Sequence, residues 1–299
     1  MSILNSLLLS TIKIMPKSVI RYFASNYIAG ESLTDAINVI KKLKSEGFDT
    51  TIDLLGEFVD SHFLAIKSKE DIIDDIRTIG QYKLPTYHSL KLTQLGLGVN
   101  VELCEDNLTQ ILTAAKENNV FVRIDMENTP YTSLTLEIYK RMRKNFDNIG
   151  IVLQAYLYRT EKDIEQLKEY QPNVRLVKGI YIEEPKDTIK DKQKIRDNYL
   201  KLLDKMLEYK FHVAIATHDD YLTDNAKELI KKYSLSKQDY EFEMLLGVRN
   251  KLRNQLRDEG HRVVIYVPYG IDWYGYSIRR FNENPSVAMH VFKSIFHIN

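Results

Sequence analysis

An α/β barrel is the fold class this sequence predicts, on three observations. Eight short β-rich runs alternate with helical patterns. Every run carries a polar or ionisable side chain towards its C-terminal end, as strands do when those ends line a site. No run is followed by the G-x-G-x-x-G turn of a doubly wound sheet, the rival with the same alternation. The nearest match, LGLG at 95–98, lacks the third glycine and a following helix signal, and there is no Walker A lysine loop.

The first 30 residues stand apart from this pattern. They hold no acid before Glu31, are basic at Lys13, Lys17 and Arg21, and are apolar around Ile3–Leu9. Polar residues interrupt the segment too often for it to span a bilayer. Its charges follow the apolar run, the reverse of a signal peptide. Two readings stay open: helices packed on the body, or an amphipathic segment touching a membrane surface. The chain therefore divides into an N-terminal helical segment, 1–30, and a barrel, 31–299, that includes a final helix at 275–284.

From residue 31 the elements follow in order. SLTDAINVIKKLKSEG (32–47) reads as a helix with Ser32 as N-cap, Asp35 three residues on, and Gly47 past its end. The strand runs are TTIDLLGE (50–57), HSLKL (88–92), FVRIDME (121–127) and GIVLQAYL (150–157). TEKDIEQLKEY (160–170) opens as a helix on Thr160 and Asp163. VRLVKGIY (174–181) precedes a long helix at 187–209 with lysines on its outer face. The last strand runs are HVAIATH (212–218), EFEMLLG (241–247) and RVVIYVPYG (262–270). YSIRRFNENP (276–285) then places Tyr276, Arg279, Arg280 and Glu283 at i, i+3, i+4 and i+7, on one helical face.

Bulk properties narrow the function. The 299 residues carry a net charge of +1, so no global field recruits nucleic acid. One cysteine, Cys104, excludes an intrachain disulfide and fits a reducing, cytoplasmic compartment. The histidines show no H-x-x-x-H pairing, and no metal is expected.

The strand ends carry Glu57, Lys91, Asp125, Gln154, Lys178 with Tyr181, Thr217 with His218, Glu243, and Tyr266 with Tyr269. Buried charges need partners, so these groups are expected to face a shared polar cavity, although each alone also reads as a rim ion pair. Lys91 and Asp125 can pair on neighbouring strands. Arg279 and Arg280 can grip one carboxylate together, with Glu283 holding a guanidinium and Tyr276 as a wall. That suggests a site for a small carboxylate such as an amino acid. The alternative is a solvated helix face with surface ion pairs. The residues alone do not name a reaction.

Taken together and in order, IDLLGE, LKLTQLGL, VRIDME, VRLVKGIY, ATH, EFEMLLG, YVPYG and YSIRRFNEN resemble proline dehydrogenase. The resemblance spans almost the whole chain after about residue 30, and the length is similar to the single-function bacterial form. It implies a distorted (βα)8 TIM barrel with FAD over the strand C-termini and the arginine-pair helix capping the mouth. It implies oxidation of L-proline to 1-pyrroline-5-carboxylate, with a hydride leaving the ring carbon next to nitrogen for flavin N5. Electrons would pass to a membrane quinone, from a cytoplasmic protein peripheral at the inner face of the membrane. Coupling to 1-pyrroline-5-carboxylate dehydrogenase would follow.

Residue by residue, the resemblance implies catalytic roles for Asp125, Arg175 and Lys91. Substrate contacts fall to Lys91, Arg279, Arg280, Tyr266, Tyr276, Leu245 and Glu283. Cofactor contacts fall to Met126, Gln154, Arg175, Lys178, Gly179, Ile180, Thr217 and His218. Three positions depart from the family pattern: Ile180 replaces alanine, Glu243 replaces glutamine, and Asp219 replaces asparagine. Two other classes remain in view. One is a barrel lyase or aldolase using Lys91 or Lys178 as a Schiff-base lysine. The other is a non-catalytic barrel that binds a carboxylate.

Overall fold

The structure is a computed structural model that describes residues 20, 21 and 24–283, with the side chains of 279–283 left out. Eight parallel strands close into a barrel in chain order, β8 returning to pair with β1. They are β1 (Asp49–Leu54), β2 (Thr86–Leu90), β3 (Val122–Ile124), β4 (Ile149–Gln154), β5 (Asn173–Val177), β6 (His212–Ala216), β7 (Tyr240–Leu245) and β8 (Val263–Tyr269). The helices are α1 (Leu33–Ser45), α2 (His62–Gln81), α3 (Val101–Glu117), α4 (Thr129–Arg143) and α5 (Thr160–Leu167). After these come α6 (Lys192–Glu208), α7 (Asp220–Lys232), α8 (Asn250–Asp258) and α9 (Trp273–Glu283).

Local chemistry sets the element ends. Asp35 N–H donates to Ser32 Oγ at 3.2 Å, and Ser32 N–H donates to the Asp35 carboxylate at 3.1 Å, closing the expected capping box of α1. Its stripe Ala36, Ile37, Ile40 and Leu43 is buried. One expected helix cap and one expected helix start are corrected. Thr160 does not cap α5: its hydroxyl donates to the Gln154 carbonyl at 2.6 Å, and Arg159 occupies the cap position, held to Asp163. The long helix begins at Lys192, not at 187, with Asp191 accepting from Lys194 N–H at 2.8 Å. Residues 187–189 are taken by the loop after β4. Tyr158 N–H donates to the Asp187 carbonyl, and Ile189 N–H donates to that of Tyr156.

Alternation divides the strand residues between two environments. Ile52, Leu90, Val122, Ile124, Ile151, Leu176, Ile215, Phe242 and Ile265 lie in one buried apolar cluster with helix residues such as Ile72, Leu108 and Leu202. Each such side chain contributes about 1.5–3 kcal/mol. The other face of the strands fills the lumen with polar and charged groups. Arg123 on β3 reaches Glu243 on β7, strands that are not neighbours, so the two meet across the barrel.

The described part of the N-terminal segment lies against the β8 end. Ala29 N–H donates to the Pro268 carbonyl, and Ala24 and Ile28 pack with Leu55 and Tyr276. Arg21 pairs with Glu31 at 3.1 Å, whereas Lys13 and Lys17 lie outside the described residues. No described helix is long and apolar enough to cross a membrane.

Candidate active site

The lumen holds a chain of charges that alternate in sign from the barrel's mouth to its foot. Lys91, just past β2, lies 3.3 Å from both oxygens of Asp53 and 3.5 Å from Asp125. Asp125, just past β3, accepts from Arg175 Nη1 at 2.7 Å and from the Tyr266 hydroxyl at 3.0 Å. Arg175 donates Nη2 to Ser89 at 3.0 Å and Nε to Glu243, and its guanidinium lies 5.2 Å from the Tyr266 ring centre. Glu243 also accepts from Arg123 at 2.5 Å. Below it, Arg123 reaches Glu241 at 3.3 Å, Glu241 lies 3.1 Å from Arg262, and Arg262 donates to Asp49 at 2.8 Å.

Electrostatics fixes the protonation states along this chain. Burial works against the Lys91 ammonium, but Asp53 and then Asp125 outweigh it and hold its pKa above the ordinary lysine value. Lys91 is therefore an ammonium at neutral pH, which disfavours a Schiff-base role needing a free amine. Burial likewise opposes the Arg175 charge, and Glu243 and Asp125 overcome it. Burial raises the Glu243 carboxyl above the ordinary glutamate value, against the pull of Arg175 and Arg123. Bonded to two guanidiniums, which stay charged, it is ionised. Burial raises the Tyr266 hydroxyl well above its ordinary pKa, so it remains a donor.

A second polar group lies at the ends of β4 to β7. Gln154 is buried; its Nε2 donates to the Glu127 carbonyl at 3.0 Å and its Oε1 has no partner among the described residues. Gly179 has φ +109°, and a Cβ there would sit 2.1 Å from Tyr156 Cδ1, so only glycine fits. Lys178 donates to Asp219 at 2.8 Å, as does Arg196. Thr217 Oγ1 accepts from Asp219 N–H, and His218 Nε2 accepts from Leu245 N–H at 2.9 Å, leaving the His218 proton on Nδ1.

The structure thus brings Lys91, Asp125, Arg175 and Tyr266 into one cluster and places Leu245 beside His218. Tyr276 is buried among Ala24, Ile28 and Leu55. Met126 is buried in the main apolar core, and Ile180 is exposed. The side chains of Arg279, Arg280 and Glu283, and so the expected carboxylate clamp, lie outside the described residues. Tyr269 is a correction. Three residues on from Tyr266, it points to the other side of β8, where its hydroxyl donates to Asp75 of α2 at 2.5 Å.

Sequence reasoning missed four interior groups. Asp53 is the nearer partner of Lys91, and the spacing Thr51-x-Asp53 within an apolar run was its available signal. Arg123 and Ser89 sit two residues before Asp125 and Lys91 on the same strand faces. Glu127 is fully buried and accepts from Thr93 N–H at 3.1 Å and from the Thr93 hydroxyl, pinning the turn after Lys91. Burial pushes its pKa up to about 7, against those hydrogen bonds.

A closed parallel barrel with paired charges and an orphaned buried amide at its strand ends defines a (βα)8-barrel enzyme. A family model described as proline dehydrogenase matches residues 36–292, and the chain belongs to that family of oxidoreductases. It is 41% identical over 275 residues to Proline dehydrogenase 2 of Bacillus subtilis (strain 168), covering 92% of this chain and 91% of that one. It is 36% identical over 278 residues to the proline dehydrogenase of Deinococcus radiodurans, covering 91% and 89%. The crystal structure of proline utilization A from Bdellovibrio bacteriovorus, inactivated by N-propargylglycine, matches with a TM-score of 0.82 at 26% identity. That match covers 89% of this chain and 33% of the larger protein.

Proposed function

We propose that residues 31–299 form a catalytic unit oxidising L-proline to 1-pyrroline-5-carboxylate with FAD as cofactor. The observation that supports this best is Asp125, held at the mouth by Lys91, Arg175 and Tyr266 from three different strands. Two features of the second group fit a flat polar cofactor. The Gln154 Oε1 is buried with no donor among the described residues, and Gly179 keeps the end of β5 free of a side chain. In this reading Met126, Gln154, Arg175, Lys178, Gly179, Ile180, Thr217 and His218 hold FAD.

FAD, when bound, supplies a two-electron acceptor. The protein's own residues do the rest. Arg279 and Arg280 bind the proline carboxylate, and Glu283 orients a guanidinium. Tyr266, Tyr276 and Leu245 wall the ring and exclude water. Proline gives up a hydride from the carbon next to nitrogen and a proton from nitrogen, so its amine must be neutral. Lys91 and Asp125 set the field at that nitrogen as a pair, because close groups titrate as a unit. Arg175 would supply positive charge beside the bound cofactor and so favour its taking up electrons. Electrons then pass to a quinone, with the basic N-terminal segment touching the membrane surface. The product feeds a 1-pyrroline-5-carboxylate dehydrogenase.

The test is the visible spectrum of protein incubated with FAD, before and after anaerobic L-proline. A flavin band that bleaches with proline is expected. Protein that stays colourless after incubation and desalting overturns the reading.

A further inference from the structure

Glu243 is a carboxylate shared by two arginines from two other strands. It accepts from Arg175 Nε and from Arg123 Nη1, the latter at 2.5 Å. All three side chains are buried. Arg175 cannot move toward the mouth without breaking this bond, and its other donors are fixed to Asp125 and Ser89. Without the Glu243 charge, Arg123 and Arg175 would face each other with no anion between them. At the mouth, Asp53 and Asp125 already balance Lys91 and Arg175 in number. Glu243 therefore removes positive field from Arg175 on the side away from Asp125.

We propose that Glu243 is a positioning residue that fixes the Arg175 guanidinium and sets how much positive charge it presents to the cofactor. This rests on the proposed FAD site beside Arg175. A carboxylate behind Arg175 disfavours added negative charge in front of it, so Glu243 lowers the reduction potential of bound flavin. Glu241, two residues down β7, bonds Arg123 and lies close to Arg262 but makes no described bond to Arg175, and serves as the internal control.

The experiment measures the two-electron potential of FAD bound to wild type, Glu243→Gln and Glu241→Gln. Glutamine keeps the shape and an accepting oxygen while removing the charge. The expected result for Glu243→Gln is at least a tenfold shift of the equilibrium toward reduced flavin, about 30 mV upward. Glu241→Gln is expected to move it less. An unchanged potential in Glu243→Gln, or an equal shift in Glu241→Gln, overturns the proposal while leaving the proline reading intact. Failure of wild type to take up FAD overturns both. Should Glu243→Gln not fold, Glu243→Asp decides the matter. It keeps the charge but is one methylene too short to hold both arginines. Its potential is expected near wild type while anaerobic flavin reduction by proline slows about tenfold, and a wild-type rate sinks the proposal.

Discussion

Lys91 lies closer to Asp53 than to Asp125, at 3.3 Å from each oxygen of the first and 3.5 Å from the nearest of the second. Asp53 is buried at the end of β1, and Lys91 is its cationic partner among the described residues. Asp125 has two other donors, Arg175 and Tyr266, and can spare it.

Asp53→Asn is expected to destabilise the fold by about 3 kcal/mol, since it breaks a buried pair and leaves the Lys91 charge undercompensated. Urea unfolding measures it. The double variant Asp53→Asn with Lys91→Met is expected to cost less than the sum of the singles. Strict additivity would show that the pair is not coupled.

Arg279→Met and Arg280→Met are expected each to weaken proline binding by roughly 2–5 kcal/mol, because a desolvated carboxylate loses a charged donor. Flavin content falls less than proline affinity. A wild-type KM in both variants refutes the clamp.

Glu127 gives a pH dependence with a definite sign. Its folded pKa is pushed up to about 7 by burial, above the ordinary 4.5 of a glutamate. The folded state thus favours the protonated form. Its contribution is fully present below about pH 4.5 and is lost as pH rises through 7. Glu127→Gln mimics the protonated form and can still accept from Thr93 N–H. The variant is expected to be the more stable by a few kcal/mol at pH 8, with the gap closing by pH 4. Equal pH–stability curves for the two proteins would contradict this.

Gly179→Ala is expected to cost about 2 kcal/mol or more, and to lower FAD content. The backbone conformation is left-handed and the new methyl meets the Tyr156 ring. Thermal unfolding and the flavin-to-protein absorbance ratio report the two effects.

Full-length protein is expected to co-sediment with anionic vesicles at low salt, and less so with Lys13, Lys17 and Arg21 changed to Gln, at about 1 kcal/mol per basic residue. Retention of the wild type in the supernatant assigns the segment to packing alone.

Strand alternation made the fold legible, because each of the eight runs overlaps the strand observed. The start of α6 was not legible. Residues 187–190 suit a helix locally, but backbone bonds to 156 and 158 claim part of the stretch, and no local pattern reports those. Among site residues, Lys91, Asp125 and Arg175 were readable as strand groups within motifs. Arg123 was not, because a charge inside a strand reads as solvent-facing until closure sets β3 opposite β7. Tyr269 was misplaced by counting strand ends without their parity.

The alternating charges inside the barrel also govern how this sequence can drift. Each interior carboxylate from Glu241 to Asp125 serves at least two cations, and Arg123 and Arg175 each serve two carboxylates. A neutral replacement at any one position takes one partner from the charges on both sides of it. Viable histories along this axis therefore move in compensated steps, a cation and an anion lost or exchanged together. Related sequences should show Arg123 covarying with the residue at 241 or 243, even where neither position touches a substrate.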